Sequence, residues 1–163
     1  MASWIQAENS QINLPFAFTS SSAEETFALG CRLACRLKNG TIVALNGALG
    51  AGKTCFVKGI ARGLGVKEEP TSPAYTIISQ YTGNNTPVYH IDVYRLSGIE
   101  DFHAIGGEET IFGDGISLIE WAQRIESIIP DEAVRVDIEI IGDDTRLIRI
   151  YTGKFFNGGT LEP

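Results

Sequence analysis

The sequence has no run of apolar residues approaching the roughly 18 that a membrane-spanning helix needs, and its first residues lack a signal-peptide pattern. Basic residues are also scarce: 13 lysines and arginines stand against 20 aspartates and glutamates, a net charge of −7. An acidic surface does not hold nucleic acid unaided, because the phosphate backbone requires basic contacts. We therefore expect a cytoplasmic protein without a membrane association, which reaches any RNA only through a partner.

Cysteine is rare as well. Cys31, Cys35 and Cys55 form no C-x-x-C pair, and no second histidine or cysteine is spaced for a zinc site, so we interpret the thiols as core or helix-face side chains. The chain has 163 residues, 44% of them apolar, without repeats or low-complexity segments. This profile predicts one domain over residues 1–163, with loose tails at 1–15 and 153–163.

The sequence does contain the phosphate-loop (P-loop) pattern G-x-x-x-x-G-K-[ST]. Thr41 to Asn46 before it predicts a strand, and Cys55 to Gly63 after it predicts a helix. This order directs backbone N–H groups and the positive end of the helix toward bound phosphates. The predicted nucleotide-binding residues of the loop are Gly47, Ala48, Leu49, Gly50, Ala51, Gly52, Lys53 and Thr54.

Apolar spacing and turn residues predict the elements around this loop. Ser22 followed by Glu25 fits a capping box, which begins a helix that runs to Lys38. Two antiparallel hairpins are expected, one on each side of a pair of weak helices. The remaining predicted elements are an edge strand at Phe16 to Thr19, hairpin strands at Tyr75 to Tyr81 and Val88 to Tyr94, helical pieces within Ser97 to Gly115, a strand at Ile116 to Ile119, a helical segment at Trp121 to Ile129, and hairpin strands at Ala133 to Ile141 and Arg146 to Tyr151.

Two carboxylates are candidates for chemistry on a bound phosphate. Glu120 ends a short apolar run, the position of the Mg²⁺-binding acid in many P-loop proteins. Asp92 shares one face of its predicted strand with His90 and Tyr94, because side chains alternate along a strand. The alternatives are that Glu120 caps a helix and that Asp92 and His90 are surface residues of an edge hairpin.

The order of four motifs is similar to that of the bacterial TsaE family, the small ATPase of tRNA threonylcarbamoyladenosine biosynthesis. The resemblance covers roughly Ala23 to Pro130 and implies an α/β fold, a three-layer P-loop sandwich whose central parallel sheet is flanked by antiparallel strands. Its motifs are the phosphate loop, Ser72-Pro73-Ala74-Tyr75-Thr76, His90-Ile91-Asp92-Val93-Tyr94-Arg95-Leu96 and Leu118-Ile119-Glu120-Trp121.

The resemblance also implies roles for single residues. Lys53 contacts the phosphates, Thr54 and Glu120 hold Mg²⁺, and Asp92 serves the γ-phosphate region, so that Lys53, Asp92 and Glu120 are the implied catalytic residues. Trp121 lies beside the site, and residues 72–76 resemble a switch-like loop. ATP and Mg²⁺ are the implied cofactors. The implied partners are TsaB-like and TsaD-like subunits, with tRNA reached only through the complex.

The chain departs from the family at two positions. Ala48 stands where an aspartate is usual, which leaves the N–H cradle intact but removes a carboxylate. Ala74 stands where a threonine is usual. If that hydroxyl normally touches metal or water, then Thr71, Ser72 or Thr76 replaces it, or turnover is weaker than in relatives.

A small-molecule kinase is the alternative function. It should have an arginine-bearing lid, whereas the segment after the loop helix has Lys67 and no arginine before Arg95. A GTPase is disfavoured because the guanine-binding pattern N-K-x-D is missing. Adenine is therefore favoured, with its contacts expected near Thr19 to Ala23.

Overall fold

The computed structural model describes residues 12–73 and 75–154. Within these residues seven strands form one sheet, in the order β1-β7-β6-β2-β5-β4-β3. The strands are β1 Phe16–Ser20, β2 Ile42–Gly47, β3 Ile78–Thr82, β4 Pro87–Asp92, β5 Ile116–Glu120, β6 Val134–Ile140 and β7 Arg146–Thr152.

The centre of the sheet is parallel and its edges are antiparallel. Strand β2 pairs in parallel with β5 and β6, and β5 pairs in parallel with β4. Strands β3, β7 and β1 add antiparallel pairs at the two sides. The predicted fold class, with a parallel centre flanked by hairpins, is confirmed.

Helices cover both faces of the sheet. The first face carries α1 (Ala23–Ala34) and α2 (Lys53–Gly63), and the second carries α3 (Ile99–Ala104), α4 (Gly107–Ile111) and a 3₁₀ helix (Ala122–Ile128). Each face buries its own apolar cluster, because side chains of a buried strand alternate between the two sides. Val43 and Leu118 belong to the α1–α2 cluster, whereas Ala44 and Ile119 belong to the other.

Helix α1 begins as predicted and ends earlier. The Ser22 side chain accepts a hydrogen bond from Glu25 N at 3.1 Å, so the cap of the capping box is present. The helix stops at Ala34 rather than continuing to Lys38, because the next turn tightens: Leu37 N donates to Ala34 O at 3.1 Å, an i→i+3 bond.

The backbones of α1 and α2 touch at two glycines. A Cβ on Gly30 would overlap the carbonyl oxygen of Phe56, and a Cβ on Gly59 would overlap that of Phe27. Only glycine permits this approach, so the two helices are held in one relative position. The loop that precedes α2 is thereby placed against the start of α1.

Several predicted boundaries need correction. Strand β3 begins at Ile78 instead of Tyr75, because Ile77 has a φ of 65°, which interrupts an extended strand. Strand β4 ends at Asp92, and the following residues turn, so Tyr94 is not part of it. The segment after β5 is helical as predicted but is a 3₁₀ helix with non-helical backbone at Ile125.

The ends of the chain lie partly outside the described residues. Ile12, in the stretch predicted to be loose, is 1% exposed and packs in the α1–α2 cluster, where Arg36 donates a hydrogen bond to its carbonyl. Gly153 N donates to Asp131 O at 2.8 Å. Residues 1–11 and 155–163, the rest of the predicted tails, are outside the described range. In the described part of the chain, no helix is long and apolar enough to cross a membrane.

Candidate functional site

The phosphate loop joins the end of β2, near the middle of the sheet, to the N-terminus of α2. Gly52 has a φ of 103° at the N-cap of α2, a conformation that side chains disfavour. A Cβ on Gly47 would lie 2.6 Å from the carbonyl oxygen of Ile138 on β6. No side chain caps α2, so the N–H groups of its first turn are available to an anion.

Lys53 is folded back over the loop. Its Nζ donates to the carbonyl oxygens of Gly47 at 2.7 Å and Ala48 at 2.9 Å, and lies 4.0 Å from the centroid of the Trp121 ring. The side chain is buried, and desolvation lowers the pKa of Lys53, although the charges of Glu120 and Asp92 oppose this shift. Among the described residues its direct contacts are these two carbonyls and the ring, and a buried ammonium group in such surroundings attracts phosphate oxygens strongly.

Thr54, Glu120 and His90 form a chain of hydrogen bonds beneath the loop. Thr54 Oγ1 donates to the Glu120 carboxylate, at 2.9 Å from Oε1 and 3.2 Å from Oε2. His90 Nε2 lies 2.8 Å from the same Oε1, and both His90 and Glu120 are buried. A threonine hydroxyl and a carboxylate in contact form an oxygen pair suited to Mg²⁺.

The helix-cap alternative for Glu120 is wrong, and so is the edge-hairpin alternative for His90. Strand β4 lies between β3 and β5, so His90 is an interior residue of the sheet rather than a surface residue of an edge hairpin. Glu120 is the last residue of β5, and the N-cap position of the 3₁₀ helix belongs to Trp121. Glu120 is therefore a strand-end acid and does not cap that helix.

Asp92 is half-buried at the end of β4, directly opposite Glu120 in the register of the parallel pair. Its Oδ1 accepts from Tyr94 N at 3.0 Å, and its Oδ2 accepts from Ser72 Oγ at 3.3 Å. The two carboxylates thus lie side by side at the carboxyl edge of the sheet, where ligands of parallel α/β folds bind. Residue 74 is outside the described range, and Ser72 is the hydroxyl of that segment which contacts Asp92.

A cleft of about 400 Å³ lies between the loop and these strand ends. It brings together the predicted phosphate, metal and γ-phosphate residues. Gly47, Ala48 and Ala51 do not line it, and the first two direct their carbonyls to Lys53. The lining residues are Leu49, Gly50, Gly52, Lys53, Thr54, Cys55, Ser72, Pro73, Asp92, Tyr94, Arg95, Glu120 and Trp121.

Two aromatic side chains, Tyr94 and Trp121, form part of the cleft lining, and Arg124 packs against the first of them. The rings of Tyr94 and Trp121 have centroids 4.7 Å apart, and the Arg124 guanidinium lies 5.1 Å from the Tyr94 centroid. Trp121 has a φ of 62°, which is strained for a bulky residue and turns the chain directly after Glu120. The indole lies against Lys53, whose Nζ is 4.0 Å from the ring centroid.

A second cavity of about 210 Å³ adjoins the first and shares Gly50, Gly52 and Cys55 with it. The start of α1 and the β6–β7 turn enclose it. Its other lining residues are Ser22, Ala23, Thr26, Ala51, Asp144 and Arg146.

Two residues at the site were not predicted from the sequence. For His90 the sequence indicates only a shared strand face with Asp92 and no contact with Glu120. Arg146 was predicted only as the start of a strand. It donates to Ala51 O, a residue 95 positions away, and no local pattern indicates such a contact.

A glycine loop between a central parallel strand and a helix, with strand-end acids beside it, defines the P-loop class of nucleotide-binding α/β proteins. The family model described as threonylcarbamoyl adenosine biosynthesis protein TsaE matches residues 20–148, and the chain belongs to this family.

Curated relatives and a solved structure agree with this family. The chain is similar to the tRNA threonylcarbamoyladenosine biosynthesis protein TsaE of Treponema pallidum, 45% identical over 131 residues, which are 80% of this chain and 96% of that protein. The Bacillus subtilis protein of the same name is 42% identical over 77% of this chain and 78% of its own length. The crystal structure of Bacillus subtilis YdiB superposes with a TM-score of 0.71 and 36% identity, covering 88% of this chain and 90% of that one.

Proposed function

We propose that the protein is a single-domain ATPase of the cytoplasm that binds ATP with Mg²⁺ and supports the formation of threonylcarbamoyladenosine in tRNA. One observation carries the proposal: Lys53 and Thr54 at the start of α2 face the carboxylates of Glu120 and Asp92 across one cleft. Family membership links this cleft to the tRNA modification named for the relatives.

Lys53 is the residue we assign to the β- and γ-phosphates. In the described part of the chain it forms no ion pair, and its hydrogen bonds go to two loop carbonyls. Phosphate oxygens are stronger acceptors for an ammonium group than neutral carbonyls are, so Lys53 exchanges these bonds when a phosphate enters. The first-turn N–H groups of α2 complete the cradle.

Thr54 and Glu120 are the residues we assign to Mg²⁺. Among the described residues no cluster of three or more His, Cys, Asp or Glu side chains could hold a metal. A site with one hydroxyl and one carboxylate fits Mg²⁺, which takes one or two protein oxygens and completes its shell with phosphate oxygens and water. When bound, Mg²⁺ supplies charge neutralisation on the phosphates. Thr54 Oγ1 and Glu120 Oε1 are already 2.9 Å apart, so little rearrangement is needed to bring both to one ion.

Asp92 is the residue we assign to the attacking water. It lies opposite Glu120 on the neighbouring strand but contacts Ser72 and a backbone N–H instead of Thr54. A half-buried carboxylate at this position can accept a hydrogen bond from water and orient it toward the terminal phosphate. Ser72, bonded to Asp92, takes the place of the missing threonine hydroxyl at position 74.

The two adjoining cavities define the orientation in which we expect the nucleotide to bind. The larger one contains the charged side chains and receives the terminal phosphates. The smaller one lies beyond Cys55 at the start of α1, and Ser22 and Ala23 line it, which supports the expected position of the adenine. This orientation sends the α-phosphate past the N-terminus of α2.

Partners supply what the chain lacks. P-loop hydrolysis is accelerated by ~10³ to 10⁵ when a cation is provided at the transition state. Arg95 lines the cleft, but its guanidinium lies 4.7 Å from the centroid of the exposed Tyr75 ring. We therefore assign the transition-state cation to a partner. With a net charge of −7, the chain does not hold tRNA itself. We therefore assign RNA binding and transfer chemistry to TsaB-like and TsaD-like subunits, which bind this protein in a nucleotide-dependent way and raise its turnover.

Reconstitution tests the proposal. ATP turnover and threonylcarbamoyladenosine in tRNA are measured with the TsaB–TsaD pair, with and without this chain. Lys53→Ala is the inactive variant, and Lys58→Ala is the matched control, since Lys58 is on the same helix but pairs with the exposed Glu69. We expect weak turnover alone, stimulation by the pair, and product only with the wild-type or Lys58→Ala chain. Product at full rate without the chain, or phosphorylation of a metabolite by it, would refute the proposal and favour the kinase alternative.

A further inference from the structure

Arg146, the first residue of β7, binds the phosphate loop from outside the larger cleft. Its Nε donates to Ala51 O at 3.1 Å, and its Nη2 donates to Gly50 O at 3.3 Å. The same guanidinium reaches the β6–β7 turn. There Nη1 donates to the carbonyl oxygens of Gly142 at 3.1 Å, Asp143 at 3.2 Å and Thr145 at 3.1 Å.

These bonds determine which way two peptide groups of the loop point. A peptide unit is planar, and its C=O and the following N–H point in opposite directions. Because Arg146 holds the Ala51 carbonyl, the Gly52 N–H faces away from the guanidinium. The bond to the Gly50 carbonyl orients the Ala51 N–H in the same way, and that N–H donates to Ala48 O at 3.1 Å.

The loop needs such a restraint. Gly50 and Gly52 have φ values of 76° and 103°, and glycine explores many other conformations at little cost. A loop that must be ordered by its ligand loses binding free energy to that ordering, whereas a loop that is already ordered does not. A planar guanidinium that donates to several carbonyls at once restrains the loop more strongly than a single ammonium group can.

We propose that Arg146 is a positioning residue that joins the β6–β7 turn to the phosphate loop, keeps the loop in its folded-back shape and orients the Gly52 amide for phosphate. The inference rests on the proposed function only in taking phosphate as the ligand of the loop. A direct contact between Arg146 and the nucleoside is the competing role, since Arg146 also lines the smaller cavity. The two roles differ in how a ligand without a nucleoside binds.

The test compares ADP with inorganic tripolyphosphate. Binding of both is measured by calorimetry for the wild-type protein, Arg146→Gln and Arg149→Gln. Arg149 is a matched control because it lies on the same strand and its hydrogen bond, at 3.0 Å, goes to the exposed Glu139 and not to a loop carbonyl. We expect Arg146→Gln to weaken both ligands by about tenfold, and Arg149→Gln to change them by less than about twofold.

Hydrogen exchange in the nucleotide-free protein gives a second readout. In Arg146→Gln, the Ala51 amide, which donates to Ala48 O, should exchange at least about tenfold faster, while amides in the core strands keep their wild-type rates. Arg146→Lys covers the case in which the glutamine variant does not fold: it keeps the charge but not the planar fork, and should also weaken both ligands.

Each outcome of these measurements either supports or overturns the positioning role of Arg146. Weakened ADP with unchanged tripolyphosphate would overturn the proposal in favour of direct nucleoside contact. Unchanged loop exchange, or wild-type affinity in Arg146→Lys, would overturn it as well. If the wild-type protein binds neither ligand, the proposed function fails, and the exchange rates still report whether Arg146 orders the loop.

Discussion

His90 Nε2 lies 2.8 Å from Glu120 Oε1 inside the sheet, and His90 Nδ1 has no hydrogen-bond partner in the described part of the chain. Because a carboxylate oxygen only accepts, Nε2 is assigned as the nitrogen that carries the hydrogen. His90 therefore donates to the same carboxylate that accepts from Thr54. The imidazole fixes the orientation of a proposed metal ligand without itself reaching the cleft.

Replacing His90 should show this positioning role. His90→Leu removes the donor and leaves Glu120 less restrained, so the Mg²⁺ concentration needed for nucleotide binding should rise by about tenfold. The free energy of unfolding should fall by about 1–3 kcal/mol, since a buried acceptor loses its partner. His90→Gln keeps an N–H donor, so its Mg²⁺ requirement and its free energy of unfolding should both lie close to those of the wild type. Titration with Mg²⁺ and urea denaturation measure the two effects, and an unchanged Mg²⁺ requirement in His90→Leu would refute the role.

Lys53→Ala should abolish ATP binding, because it removes the cation assigned to the phosphates. Thr54→Ala should leave binding in the absence of Mg²⁺ nearly unchanged and weaken the Mg²⁺ dependence, since the hydroxyl is one of the two groups assigned to Mg²⁺. Both are measured by calorimetry with and without Mg²⁺, with Lys58→Ala on the outer part of α2 as the control. Wild-type affinity in Lys53→Ala would show that the loop does not bind phosphate.

Asp92→Asn and Glu120→Gln should each remain folded and bind nucleotide while turnover falls by about 10² or more. In Asp92→Asn the amide oxygen can accept from Tyr94 N while the amide NH2 donates to Ser72 Oγ, and in Glu120→Gln the amide oxygen can accept from Thr54 and His90, so the fold is preserved while the charge is lost. Steady-state phosphate release and nucleotide affinity are compared in each variant. Asp101→Asn is the control, because this exposed carboxylate bonds Ser97 at the start of α3. Full turnover in Asp92→Asn would remove Asp92 from the mechanism.

Alkaline stability should depend on Tyr151. Its hydroxyl donates to Asp137 Oδ2 at 2.7 Å, and desolvation, followed by this hydrogen bond and the charge of Asp137, raises the pKa of Tyr151. A raised pKa in the folded state means that the stabilisation is complete below about pH 10, the unfolded value, and is lost as the pH rises further.

Tyr151→Phe should therefore lower the free energy of unfolding by about 1 kcal/mol at pH 7. The difference from the wild type should shrink above pH 10. Urea denaturation at pH 7 and at higher pH measures it, with the exposed Tyr75 changed to Phe as the control. A difference that stays constant with pH would contradict this assignment.

The sequence predicted the parts of the site that depend on local order. Thr54 follows from the loop template, and Glu120 follows from the end of an apolar strand. The contact between His90 and Glu120 depends on β4 lying next to β5, and local periodicity does not predict the order of strands in a sheet. Arg146 reaches the loop only because β7 and β6 fold back beside β2. The predicted start of β3 was wrong because a single backbone angle, the φ of Ile77, sets it.

The contact between Gly30 and Gly59 has a consequence for which ligands fit. The start of α1 lines the smaller cavity, and the phosphate loop precedes α2, so the helix contact sets the distance between the proposed nucleoside and phosphate ends of the site. An alanine at either glycine would push the helices apart and lengthen that distance. Selectivity for the size of the ligand therefore resides partly in two residues that line neither cavity.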